Sequence, residues 1–124
     1  RDAMKRLLRQ YFTRHLNIDF FAAMLEDAGQ IVSIAFLVVL EKPANPFFPT
    51  GKTGTIFNVF TYPAYRRKGF ATRLMKMLIE EGKRHGLSFL DLCATADGKV
   101  LYQKLGFREE KPVEFTEMKL SLLG

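Results

Sequence analysis

The residues best suited to bind a ligand form one short basic segment, residues 66–71, with the sequence RRKGFA. It follows a β-branched and aromatic stretch at residues 55–61, which predicts a strand that Pro63 ends. It precedes a run of apolar residues at the spacing of one helical face. A helix that begins there directs free backbone N–H groups and the positive end of its dipole at one point, which suits a phosphate group.

Three cationic side chains, those of Arg66, Arg67 and Lys68, add charged donors around the same point. Taken alone, such a segment is more often a solvated helix cap, so its neighbours decide between the two interpretations. A Walker-type loop is disfavoured because the sequence lacks a Gly-x-x-x-x-Gly-Lys-Ser/Thr run. A dinucleotide-binding turn is disfavoured because Gly69 stands without its two partner glycines.

A second segment, residues 101–107 with the sequence LYQKLGF, places a tyrosine on a short helix that ends at Gly106. The two segments resemble the Gln/Arg-x-x-Gly-x-Gly/Ala signature and the Leu-Tyr-x-x-x-Gly-Phe element of the GNAT superfamily of acetyl-CoA-dependent N-acetyltransferases. The resemblance extends from about Phe20 to the C-terminus. It implies acetyl transfer from acetyl-CoA, without a metal, to a primary amine of a small molecule or peptide. The amine would attack directly in a ternary complex.

The resemblance also implies where acetyl-CoA binds. The backbone of the basic segment would hold the pyrophosphate, and the preceding strand would pair with the pantetheine arm and donate one N–H to the thioester oxygen. The family often has an Asn just before the tyrosine-bearing helix, where this chain offers Thr95 or Asp97. The implied cofactor-binding residues are Val59, Phe60, Thr61, Arg66, Arg67, Lys68, Gly69, Phe70, Ala71, Thr72 and Thr95.

Tyr102 is the candidate general acid. A phenol has a pKa near 10 and a thiol a pKa near 8.5, so the phenol is protonated at neutral pH and can donate to a departing thiolate. The alternative is an ordinary helix residue whose ring packs in the core and whose hydroxyl lies at the surface. Tyr102 lies in the segment LYQKLGF, which resembles the family element, and this favours the acid role.

The general base is less well defined. Many family members carry a Glu on the strand before the basic segment, whereas this strand carries Asn58 and no carboxylate. Asn58 cannot accept a proton, but it can orient a water molecule or the acceptor amine. Asp91, on the following strand, matches a position where some relatives that acetylate protein N-termini carry a Glu base. Because Asp91 lies between two leucines, an outward-facing structural carboxylate is the more common interpretation.

An α/β fold must position these residues. Helices are predicted at residues 3–16, 71–84 and 99–104, and strands at residues 20–26, 30–40, 55–61, 88–95, 107–110 and 113–122. With the resemblance, this order predicts one domain over residues 1–124, with a mixed, mostly antiparallel central sheet that contains a parallel splayed strand pair. Helices should flank both faces, and the strand at residues 30–40 should be central and covered on both sides. We expect the family's first strand to be missing at the N-terminus.

Residues 41–54 are predicted to be irregular, because three prolines and two glycines interrupt them. Phe47 and Phe48 either pack beneath this loop, line an acceptor pocket, or form a subunit contact, in which case the chain would be a homodimer. Cys93 has apolar neighbours, which predicts a buried, inert thiol.

Composition narrows the function classes. The net charge of +6 raises the question of nucleic acid, but the positive residues are dispersed, so we expect no specific nucleic-acid partner. No charge-free apolar run approaches the ~20 residues of a membrane helix, so we expect no membrane partner. One cysteine excludes an internal disulfide and agrees with a location in the reducing cytoplasm.

A non-catalytic acyl-CoA-binding regulatory module is the alternative function. The missing Glu favours it and Tyr102 opposes it.

Overall fold

The computed structural model describes residues 1–110 and 116–123. In chain order the elements are α1 (Asp2–His15), β1 (Phe20–Asp27), β2 (Gln30–Glu41), β3 (Lys52–Thr61), a 3₁₀ turn (Pro63–Tyr65), α2 (Phe70–Arg84), β4 (Leu90–Leu92) and α3 (Ala96–Lys104). The three predicted helices are confirmed to within three residues at each end. Among the described residues, no helix combines the length and the apolar character needed to cross a membrane.

The strands form one sheet in the order β1-β2-β3-β4. β1 with β2 and β2 with β3 are antiparallel, whereas β3 and β4 are parallel. A parallel pair needs a long crossover connection, which α2 supplies here. This mixed, mostly antiparallel sheet with one parallel pair confirms the predicted fold class.

The hydrophobic core lies on one face of the sheet, beneath α2. Strand side chains that alternate toward this face meet the apolar stripe of the helix, and Leu37, Leu74 and Met75 are fully buried. The core cluster consists of Phe21, Ala23, Ala35, Leu37, Ile56, Leu74, Met75 and Leu78. This packing fixes the direction of α2 and therefore the position of its N-terminus.

The opposite face is covered in part by α1. Phe20 is buried, and its ring lies 5.6 Å from that of Tyr11 and 5.4 Å from that of Phe12, centroid to centroid. Helices therefore flank both faces, as predicted. However, α1 has no fully buried residue, and the β2 side chains on this face, such as Phe36, stay half-buried. The prediction that β2 is covered on both faces is therefore only partly correct.

The irregular connection between β2 and β3 is shorter than predicted. β3 begins at Lys52, which pairs with Glu41, so the last three residues of the predicted loop belong to the strand. Gly54 lies in this extension. A Cβ atom there would lie 2.7–2.8 Å from methyl carbons of three leucines, so this close approach requires glycine. In the loop itself, Phe47 is 83% exposed and therefore does not form a satellite core.

The predicted strand at residues 88–95 is also shorter, because pairing with β3 is confined to Leu90–Leu92. This early end of β4 is the main local difference from the prediction near the candidate site.

The two predicted C-terminal strands are not formed in the described residues. Residues 107–110 and 116–123 contain no strand, and the part of the second prediction at residues 113–115 lies outside the described residues. The backbone N–H of Phe107 donates to the carbonyl of Tyr102 at 3.0 Å, so it closes the end of α3 instead of joining a strand ladder.

The apolar residues at positions 118, 120 and 122 alternate with polar ones, which is why a strand was predicted. Their side chains are 83–91% exposed. Alternation makes one face of a segment suitable for burial, but a strand also needs a paired neighbour.

Candidate active site

A β-bulge interrupts β3 at Asn58. Ile34 pairs with Phe60 and Phe36 pairs with Phe57, so Asn58 and Val59 together oppose one residue of β2. Asn58 has a left-handed backbone with φ of 54°, which Asn tolerates better than most residues. A bulge bends its strand and breaks the regular ladder. It lies just beyond the last pair that β3 makes with its parallel neighbour β4.

The parallel ladder between β3 and β4 stops at the pair Ile56 and Leu92, directly before the bulge. A cavity of about 200 Å³ opens beyond that pair. It is lined by Ile56, Phe57, Asn58, Val59, Leu92, Cys93, Thr95 and Tyr102. Four residues predicted for the site, Asn58, Val59, Thr95 and Tyr102, thus line one cavity.

Tyr102 reaches this cavity from α3. Its ring is half-buried, packs against the core cluster, and lies 6.1 Å from the ring of Phe107, centroid to centroid. Burial raises the pKa of the Tyr102 phenol above its ordinary value. The hydroxyl therefore stays protonated at neutral pH and can donate a proton toward the cavity.

Thr95 caps the N-terminus of α3. Its Oγ1 accepts a hydrogen bond from the N–H of Gly98 at 3.3 Å. The hydroxyl hydrogen is still available to donate, so the cap does not prevent a contact with a ligand in the cavity.

The basic turn, residues 66–69, connects β3 to α2 through the short 3₁₀ turn. Arg67 has φ of 62° and Gly69 has φ of 79°, so two of its four residues have left-handed backbone. Turns with such alternating backbone can direct successive N–H groups toward one point and form an anion-binding concavity. Gly69 is the N-cap of α2 and offers no side chain to the first helical N–H groups. A Cβ atom built on Gly69 meets nothing within 4 Å, so the approach to these groups is open.

The cationic side chains of the turn are partly engaged with the protein. The Nε of Arg66 donates to the carbonyl of Thr61 at 2.9 Å, and its guanidinium lies 5.7 Å from the centroid of the Phe60 ring. Arg66 therefore braces the end of β3. The Nζ of Lys68 lies 5.6 Å from the centroid of the Tyr65 ring.

Asp91 lies on β4 outside the lining of the cavity. It pairs with Thr55, whose Oγ1 donates to Asp91 Oδ1 at 2.6 Å. Since the next pair, Ile56 and Leu92, faces the core, alternation directs Asp91 to the opposite face of the sheet. Phe60 and Thr61, two predicted cofactor contacts, also lie outside the cavity lining, and Thr61 Oγ1 is 2.7 Å from Ser33 Oγ.

Cys93 differs from the prediction of a buried thiol. It is exposed and lines the cavity. The physical reason is the early end of β4, which leaves Cys93 one residue beyond the ladder, at the opening between the strands. The sequence carried one signal for that opening: an Asn among β-branched and aromatic residues, which is uncommon inside a regular strand.

Within residues 1–110 and 116–123, no cluster of three or more His, Cys, Asp or Glu side chains is arranged to hold a metal ion.

The sequence model of the acetyltransferase (GNAT) family matches residues 1–107. No curated protein sequence matches the chain significantly.

Solved structures of acetyltransferases share the fold. A predicted acetyltransferase from Clostridium acetobutylicum, solved with acetyl-CoA, is 28% identical with a TM-score of 0.79, covering 93% of this chain and 73% of its own. A GCN5-related N-acetyltransferase from Ralstonia eutropha is 29% identical with a TM-score of 0.75, covering 99% of this chain and 78% of its own. An aminoglycoside acetyltransferase from an uncultured soil metagenomic sample is 29% identical with a TM-score of 0.70, covering 90% of this chain and 74% of its own.

The bulge can be tested through stability alone. Glycine adopts the left-handed backbone of Asn58 freely, whereas valine is strained there by its β-branch. We expect Asn58→Val to unfold more easily than Asn58→Gly by about 1–3 kcal/mol, measured by chemical denaturation. Equal stabilities would show that position 58 does not impose this backbone.

Cys93 provides a direct report on the cavity, because it is the one cysteine of the chain. If the thioester end of acetyl-CoA enters the cavity, acetyl-CoA should slow alkylation of Cys93 by N-ethylmaleimide, measured by mass spectrometry. At ten times Kd we expect about tenfold slowing, since the free fraction falls by that factor. Adenosine 3′,5′-bisphosphate, which lacks the pantetheine arm, is the control and should protect much less. An unchanged rate at a concentration of acetyl-CoA that raises Tm would place the thioester elsewhere.

Proposed function

Because this chain belongs to the acetyltransferase (GNAT) family, we propose that it is an N-acetyltransferase that moves an acetyl group from acetyl-CoA to a primary amine. The observation that carries this proposal is the cavity between β3 and β4, where Asn58, Val59 and Tyr102 meet. A ternary complex with direct attack by the amine is the simplest mechanism for such a site, because holding both reactants together removes much of the entropic barrier.

The basic turn fits the diphosphate of acetyl-CoA. Three features of the turn favour an anion there. Arg67 and Gly69 have left-handed backbone, the N-cap has no side chain, and the space around Gly69 is open. We propose that the N–H groups from Arg67 to Thr72 bind the diphosphate. Bound in this way, acetyl-CoA supplies an activated acetyl thioester.

The bulge in β3 would serve the other end of the cofactor. Where β3 leaves β4, backbone groups of Val59, Phe60 and Thr61 are released from a parallel ladder and can pair with the pantetheine arm. One N–H group of this stretch would donate to the thioester oxygen. An oxyanion donor of that kind typically contributes ~3 kcal/mol to the transition state.

Tyr102 would donate its Oη proton to the departing thiolate. Its half-buried position raises its pKa, which keeps the phenol protonated at the pH where an amine attacks. The position on the cavity wall and the protonation state both support this role.

The amine must also lose a proton. We propose Asp91 as the group that accepts it, directly or through a water molecule, and Asn58 as a group that orients the amine or that water. Asp91 lies on the opposite face of the sheet from Tyr102. This separation fits a reaction in which the amine approaches from one side and the thiolate leaves on the other.

The acceptor is a small-molecule or peptide amine in this proposal. The similarity to an aminoglycoside acetyltransferase makes aminoglycosides reasonable first members of an amine screen, together with biogenic amines and peptide N-termini. We place the reaction in the cytoplasm, because a single cysteine is typical of reducing compartments.

A non-catalytic acyl-CoA-binding module is the second candidate, favoured by one observation. β3, which approaches the cavity from Lys52 to Thr61, contains no carboxylate. Such a module would bind acetyl-CoA without turnover in an amine screen, whereas the enzyme would release CoA.

The diphosphate assignment can be tested at Gly69 with a matched pair of variants. Asn and Asp have nearly the same size and both tolerate left-handed backbone, so Gly69→Asn and Gly69→Asp differ mainly in charge. We expect Gly69→Asp to bind CoA at least about tenfold more weakly than Gly69→Asn, because a carboxylate would lie beside the diphosphate. Isothermal titration measures both Kd values. Equal Kd values would show that the diphosphate does not bind at the basic turn.

The acid role of Tyr102 can be tested with Tyr102→Phe, which keeps the ring and removes the proton. We expect the Kd for acetyl-CoA to change little and kcat to fall by ~10²–10⁴-fold, the usual range for one general acid. Single-turnover kinetics with preloaded acetyl-CoA separates the chemical step from product release. A single-turnover rate equal to that of the parent would show that Tyr102 is not the acid.

A further inference from the structure

Tyr65 connects two turns that are distant in the sequence. It ends the 3₁₀ turn directly before the basic turn, and its hydroxyl donates to Asp27 Oδ2 at 2.7 Å across 38 residues. Asp27 is the last residue of β1, at the turn of the β1–β2 hairpin. Asp27 pairs with Gln30 in the β1–β2 ladder, so this hydrogen bond ties the start of the basic turn to the end of the hairpin.

The Tyr65 ring also contacts residues on either side of Gly69. It stacks on Phe70, the first residue of α2, with ring centroids 6.2 Å apart and planes 27° apart. The Lys68 ammonium lies 5.6 Å from the centroid of the same ring. The backbone N–H of Tyr65 donates to the carbonyl of Tyr62 at 2.8 Å, which fixes the residue itself. One side chain thus contacts the hairpin, the basic turn and the helix.

The basic turn needs such support because its own conformation is costly. Left-handed backbone at Arg67, a residue with a side chain, costs of order 1–3 kcal/mol. The turn is exposed at all four of its residues, so burial contributes little to holding it. A turn that samples several conformations must be ordered when a ligand binds, and that ordering weakens affinity.

We propose that Tyr65 is a positioning residue for the diphosphate site and that Asp27 is its anchor. The pair holds the basic turn in its anion-binding conformation before the ligand arrives. This proposal rests on the proposed function of the turn, but it assigns a role to two residues outside the family signature.

The protonation of Tyr65 agrees with this role. The hydrogen bond to Asp27 is the main cause that raises the pKa of Tyr65 above its ordinary value. The phenol therefore stays protonated, and remains a donor to Asp27, throughout the neutral range.

The test measures the Kd of CoA by isothermal titration for the parent, Tyr65→Phe, Asp27→Ala and the double variant. Tyr65→Phe keeps the ring contacts and removes only the hydroxyl. We expect each single variant to bind CoA about three- to tenfold more weakly, the effect of losing one hydrogen bond of this kind. The double variant should bind no more weakly than either single variant, since both remove the same interaction.

Tyr62→Phe is the matched control. Tyr62 lies three residues earlier, is exposed, and packs its ring on Phe60 with centroids 5.2 Å apart. We expect its Kd for CoA to equal that of the parent. The Tm of every variant without ligand shows whether the fold is retained. A general loss of stability would lower Tm without producing the non-additive pattern of the cycle.

The possible outcomes separate this proposal from the function on which it rests. If the parent binds CoA but Tyr65→Phe binds equally well, or if the losses from the two single variants simply add, the positioning role is wrong and the proposed function stands. If the parent does not bind CoA, both are wrong. A non-additive loss confined to Tyr65 and Asp27 supports the proposal.

Discussion

The candidate site depends on the early end of one strand pairing. β3 and β4 share a parallel ladder of three residue pairs and then separate where β3 bulges at Asn58. Continued pairing would fill the gap between the strands and satisfy their backbone groups within the sheet. Because pairing stops, the cavity opens and Cys93, Thr95 and Tyr102 gather around it. The left-handed residue Asn58 and the end of β4 at Leu92 therefore lie together where the space for the proposed chemistry opens.

The core on the other side of β3 supplies the second constraint. α2 packs on the sheet through fully buried Leu74 and Met75, which sets the direction of the helix axis. Its N-terminus is joined to the end of β3 by residues 62–69, which include the 3₁₀ turn and the basic turn. This connection contains the costly left-handed backbone of Arg67. The packing energy of the core offsets this local cost, which is the usual way in which strain persists at ligand sites.

The sequence predicted the features that depend on local preferences and on motifs. The helical spacing after residue 70 gave α2, and the basic segment predicted the turn that precedes it. Cofactor contacts along this turn stay predictions, whereas its position at a helix N-terminus is confirmed.

Features that depend on strand pairing were predicted less well. Which backbone groups form interstrand hydrogen bonds determines three of these features: the length of β4, the exposure of Cys93 and the absence of strand at residues 116–123. Alternation and β-propensity report which face a strand could bury, and they do not report where its neighbour ends.

The two proton transfers of the proposed reaction have different requirements, and the sheet separates the groups that would perform them. Tyr102 lies with the core-facing side chains, in surroundings that raise its pKa and keep it a donor. Asp91 lies on the other face and accepts a hydrogen bond from Thr55. A carboxylate beside the phenol would accept a hydrogen bond from its hydroxyl and would compete with the thioester oxygen for the oxyanion donors of β3. Asp91 comes one residue earlier on β4 than the core-facing Leu92, so strand alternation keeps the carboxylate and the phenol on opposite sides of the sheet. The same alternation would let an amine reach the gap from the face of Asp91, without crossing the path of the leaving thiolate.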